Sequence, residues 1–168
     1  MLANRQWVQV ERRWDASEWL QDNTRIMFNP SKDEVRQFFL SAWQRRRDGG
    51  VLTPLELIAT DWMDLHPEYH AELADPQSAS RDYTVEQGRT NPFLHLSMHL
   101  SIAEQVSIDQ PPGIRQAFEL LRSKLGEHAA HHAIMECLGD MLWTAQRSGL
   151  PPDGAGYVDC VQRRATLR

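Results

Sequence analysis

Cysteine is scarce in this chain: Cys137 and Cys160 are the two in 168 residues, and they do not form a Cys-x-x-Cys spacing. That excludes a thiolate zinc finger and a disulfide-framework fold. Cys137 falls in an apolar helical stretch and reads as a buried thiol, whereas Cys160 lies in a polar tail. Their positions suggest no disulfide. Long apolar runs are also lacking, since no stretch approaches the roughly 18 apolar residues that cross a bilayer. Arg5, Glu11, Arg12, Arg13 and Asp15 interrupt any apolar core of a signal peptide. A cytoplasmic, reducing location is the resulting expectation. No run of β-branched residues alternates with period two, so no strand is expected. Excess positive charge is absent too: the formal charge is −5. That argues against a general affinity for nucleic acid or anionic membrane. Arg45, Arg46 and Arg47 are an isolated cluster, and cations at a helix C-terminus commonly serve the macrodipole.

Several catalytic strings are missing. There is no His-Glu-x-x-His, no His-Asp dipeptide and no glycine-rich phosphate loop. A Gly-x-Ser-x-Gly elbow is absent as well. Cys137 makes a poor nucleophile, because an apolar mid-helix setting suppresses its thiolate. Protease, nucleotidase and serine-hydrolase readings therefore lose their sequence support.

What is present is helix punctuation. The length fits one domain, and 41% hydrophobic with 24% charged residues is ordinary for a globular chain. Ser31 and Glu34 form a capping box ahead of a stripe made by Val35, Phe38, Phe39, Ala42 and Trp43. Gly49-Gly50 ends that helix. Thr53-Pro54-Leu55-Glu56 supplies an N-cap, an N1 proline and an N3 glutamate for a second helix running to about Asp64. His66-Pro67-Glu68-Tyr69-His70 begins a short helix ending near Asp75-Pro76, and residues 77–90 are the longest irregular connection.

Asn91-Pro92 restarts a helix to about Ser107, and Asp109-Gln110-Pro111-Pro112-Gly113 is a rigid turn. Ile114, Ala117, Phe118, Leu121 and Leu125 make the next stripe. A long helix follows from Glu127 to about Arg147, and a last one carries Tyr157, Val158 and Val161. The expected fold is all-α, a single-domain bundle of six to seven helices over residues 27–164 with a tail at 165–168. Residues 1–26 carry Trp7, Val10 and Trp14 at helical spacing. They read either as an appended amphipathic helix or as sequence upstream of a natural start at Met27.

The chemistry concentrates in the histidines. All seven lie between positions 66 and 132, and they include His66/His70, His95/His99 and His128/His132. Residues four apart share one helical face, so each pair can aim two imidazoles at one ion from a rigid element. Turning about 100° per residue from His128, His132 falls near 40° and Glu136 near 80°. Met135, Gly139 and Leu142 lie close to the same face, so a carboxylate rides beside two imidazoles on an apolar ribbon. His131, near 300°, falls on the other flank by the same rule and stays outside the candidate set. His95 and His99 share a face with Ile102 and Val106, whereas Glu104 lies about 180° away from His95. His66 precedes a proline and reads as a helix cap, which leaves His70 as the better ligand of its pair.

The expected metal ligands are thus His70, His95, His99, His128, His132 and Glu136. The ion would be iron, zinc or manganese in a mononuclear or binuclear site suited to oxygen or redox chemistry, with hydrolysis second. The bland alternative is a metal-free interaction module. Its histidines are hydrogen-bonded core groups, and the rigid turn from Asp109 to Arg115, with exposed tryptophans, docks a protein partner or a second copy. No general base is distinguishable, so whether the chain is an enzyme stays open.

Two resemblances add to this reading. His132 with Glu136, and His95 with His99, resemble the His-x-x-x-Glu and His-x-x-x-His elements of hemerythrin-type oxygen-binding bundles. Their chain order is reversed and the final acidic motif is absent, so that likeness is chemical. A closer one covers Met27 to about Arg163. It rests on His66-Pro67-Glu68-Tyr69-His70, on the string from Asn91 to Gln105 that opens Asn-Pro-Phe-Leu-His, and on the string from Ser107 to Arg115. These resemble a family of small bacterial proteins of unknown function. The resemblance implies a bacterial cytoplasmic origin and brings no activity with it.

Overall fold

The computed structural model describes residues 31–83 and 90–166. The expected N-terminal helix or upstream segment, residues 1–26, lies outside them. Among the described residues there are seven α-helices and no strand, as the punctuation predicted. They are α1 (Lys32–Arg47), α2 (Pro54–Asp64), α3 (His70–Leu73), α4 (Pro92–Ile108), α5 (Ile114–Leu125), α6 (Glu127–Ser148) and α7 (Gly154–Thr166). Two 3₁₀ turns, Pro67–Tyr69 and Pro76–Ser80, flank α3. The chain divides into two compact units, Met1–Ser97 and Met98–Arg168, with the boundary inside α4. No helix is long and apolar enough to cross a membrane among the described residues.

In the first unit both capping boxes form. Glu34 N donates to Ser31 Oγ at 3.3 Å while Ser31 N donates to Glu34 Oε2 at 2.7 Å. Thr53 and Glu56 repeat the pattern at 3.3 and 2.8 Å. These bonds satisfy amide donors that a helix start leaves without partners. They hold the Glu34 and Glu56 carboxyls below the usual glutamate range, the backbone bond contributing most in each. The basic run at the end of α1 does more than serve the dipole. Arg45 reaches Glu56 at 2.5 Å and Arg46 reaches Asp64 at 2.7 Å, so two arginines tie α1 to both ends of α2.

The buried face of α1 comprises Arg36, Phe39, Leu40, Ala42 and Trp43, while Val35 and Phe38 are only half-buried. The face is rotated from the apolar stripe because Arg36 turns inward. Its guanidinium donates to the carbonyls of Ala79 at 2.6 Å and Arg81 at 3.0 Å, and it lies over the rings of Tyr83 and Phe93. A charge is tolerated there because carbonyls and π-faces replace its water.

In the second unit α5, α6 and α7 pack on one another. Ile114, Ala117, Phe118 and Leu121 of α5 are buried with Ile134, Met135, Leu138 and Leu142 of α6 and Tyr157, Val158 and Val161 of α7. Each such side chain contributes about 1.5–3 kcal/mol on burial, so this packing, and not helix propensity, holds the three helices. The Asp109 turn that leads into α5 is built from within. Asp109 adopts φ 52°, and its Oδ1 accepts from the amides of Gly113 at 3.1 Å and Arg115 at 3.0 Å. Helix α7 runs on to Thr166 with Ala165 buried, so the chain is helical into the segment expected to be a tail.

The cysteines are a correction. Cys137 of α6 and Cys160 of α7 are joined as a disulfide, with Cα atoms 5.9 Å apart. Cys137 is buried, as expected, but faces α7 and not a purely apolar wall. Spacing along the chain hid the pairing, because only the packing of α7 on α6 brings the two sulfurs together.

Candidate metal centre

Helix α6 presents its core along Ala130, His131, Ile134, Met135, Cys137, Leu138, Gly139 and Leu142. His128 and His132 stand at the edge of that face, one turn apart and half-buried, with ring centroids 4.4 Å from each other. Helix α4 brings His99, fully buried, against them. Its ring centroid lies 5.8 Å from that of His128 and 5.2 Å from that of His132. One ring nitrogen from each of His99, His128 and His132 falls within 4.8 Å of the others.

His131 sits behind this group. Its Nδ1 is 3.3 Å from His99 Nδ1, so one of the two nitrogens carries the shared proton. The rings stack at 5.4 Å, and Phe118 meets His131 edge-on at 5.3 Å. Burial first, and then the neighbouring His132 and His128, push the His131 imidazole down to about 3, so it is neutral at ordinary pH. With Nδ1 engaged on His131, His99 has Nε2 for an ion. That is the usual division of labour for a ligating histidine, whose second nitrogen is held by a partner behind it.

The other candidates are placed differently. Glu136 lies further round α6 and pairs with Arg164 of α7, outside the three-imidazole group. In the first unit, His70 Nε2 lies 2.8 Å from the Met63 carbonyl, which fixes that nitrogen as the donor, and the ring lies against Trp43 at 4.4 Å. His95 is buried, edge-on to His66 at 4.6 Å and to Tyr69 at 5.5 Å. His66 is no helix cap: its side chain makes no capping bond, and its buried ring places Nδ1 2.8 Å from Glu68 Oε1.

Three imidazoles at this spacing suit a transition-metal ion. Donors on a tetrahedral zinc, about 2.0–2.1 Å from it, stand roughly 3.4 Å apart, which small side-chain rotations reach from 4.8 Å. Neutral nitrogen donors favour zinc, iron, copper or nickel over calcium or magnesium. His131 was the residue that spacing arguments passed over. The signal that finds it is its position midway across the apolar arc of α6, where a histidine is buried whatever its sequence neighbours are.

Fold and site together define an all-α protein carrying a histidine-rich group able to hold a metal ion. Residues 31–163 match the model of the family described as domain of unknown function DUF1841, and the chain belongs to that family. No curated protein and no solved structure matches it.

Proposed function

We propose that the protein binds one transition-metal ion through His99, His128 and His132, with His131 holding His99 in register. The observation that carries this reading is the convergence of the three imidazoles within 4.8 Å. A single ion fits better than a carboxylate-bridged pair, because the acidic residue that would bridge, Glu136, is committed to Arg164. When bound, the ion supplies Lewis acidity or, if it is iron, redox chemistry. The chain supplies a rigid two-helix mount, neutral donors and an apolar shell that excludes water. The expected identity is iron, zinc or manganese.

The alternative is the metal-free module, supported by the internally bonded turn from Asp109 to Arg115. Elemental analysis of the full chain purified without a histidine tag separates the two. Metal binding predicts roughly one ion per chain, with a melting temperature that rises on adding the ion, because a ligand of the folded state stabilises it. Less than about 0.2 ions per chain, with no thermal shift from iron, zinc or manganese, would leave the module. Substituting His66, His70 and His95 one at a time, and measuring metal retention, then reads whether a histidine of the first unit adds a further ligand.

A further inference from the structure

We infer that the ion in this site takes a small anion as an additional ligand, so that the substrate or effector is anionic and not neutral. This rests on the metal reading above and adds the charge balance. The ligand group contains imidazoles only. An imidazole coordinates as a neutral donor, so the ion keeps its whole charge of +2. His131 behind the group is neutral as well.

The carboxylates on the same helices are spent or turned away. Glu136 is neutralised by Arg164, while Glu104, Glu127 and Asp140 are exposed. An uncompensated divalent charge beside buried side chains is costly, and the cost falls when an anion joins it. A further imidazole from elsewhere in the chain would leave that balance unchanged, since it too is neutral. The amino end of α6, only one residue before His128, adds a positive potential of the same sign. Both features select an anion, and the half-buried setting of His128 and His132 limits its size to a few atoms.

The test uses the full chain loaded with cobalt(II), whose ligand-field absorption reports coordination directly. Azide is the anionic probe and acetonitrile the neutral one of similar length. Expected is a saturable change in the cobalt bands with azide, half-complete below about 10 mM, and at least about tenfold weaker response to acetonitrile. Unchanged bands at about 100 mM azide, with cobalt demonstrably bound, would overturn this inference and leave the metal site standing. Equal response to both probes would also overturn it, because charge would then not be what selects the ligand. If cobalt(II) produces no ligand-field bands at all, the metal reading fails and takes this inference with it.

Discussion

At the scale of single residues, His131 and Asp109 show how much one side chain can carry. His131 touches the group only through the 3.3 Å contact with His99 Nδ1. Replacing it by Phe keeps the apolar packing against Phe118 but removes that partner. Metal affinity, read by competition with a chelator, is expected to fall about 10–100-fold while the fold persists. His99→Ala, which deletes a ligand outright, is expected to abolish metal retention.

Asp109 governs a pH effect. Its carboxylate accepts from the amides of Arg115 and Gly113, and these bonds hold it below the ordinary value of 3.8. A depressed carboxyl stabilises the fold above its unfolded-state value, and that stabilisation is lost as pH falls through the folded-state value. Asp109→Asn tolerates the left-handed backbone but cannot ionise. The gap in melting temperature between native protein and variant is therefore expected to be full near about pH 6 and to close toward about pH 2. A gap that stays constant across that range would show that the charge of Asp109 plays no part.

At the scale of elements, helix starts follow local rules and helix faces do not. Thr53 closes a capping box on α2, and Thr53→Ala is expected to cost about 1 kcal/mol, or roughly 3–5 °C in melting temperature. Such boxes were readable because the bonds run between residues three apart. Buried faces were read less well. On α1 the inward arc includes Arg36 and leaves Val35 and Phe38 half-buried. On α6 the arc centres nearer His131 than the His128–His132 edge. Rotation of a helix about its axis is set by the partners it meets. Carbonyls offered to Arg36, and Arg164 offered to Glu136, are invisible to periodicity.

At the scale of the whole chain, the disulfide between Cys137 and Cys160 is the feature with the largest expected effect on stability. It closes a segment of 23 residues and cross-links α6 to α7. In the chain-entropy account such a loop contributes about 3 kcal/mol. Reduction, or Cys160→Ser, is expected to lower the melting temperature by roughly 5–15 °C. An unchanged transition after complete reduction would show that packing alone holds α7 on α6.

What the amino-acid sequence determined by itself was the helical class, most helix boundaries and the stretch in which the imidazoles gather. Those depend on caps, prolines and spacing, which act within a few residues. Tertiary packing alone decided which nitrogens meet, which carboxylate is drawn off by an arginine, and that two distant thiols are joined. Each of these depends on the rotation and approach of neighbouring helices, a quantity that no local stretch of chain encodes.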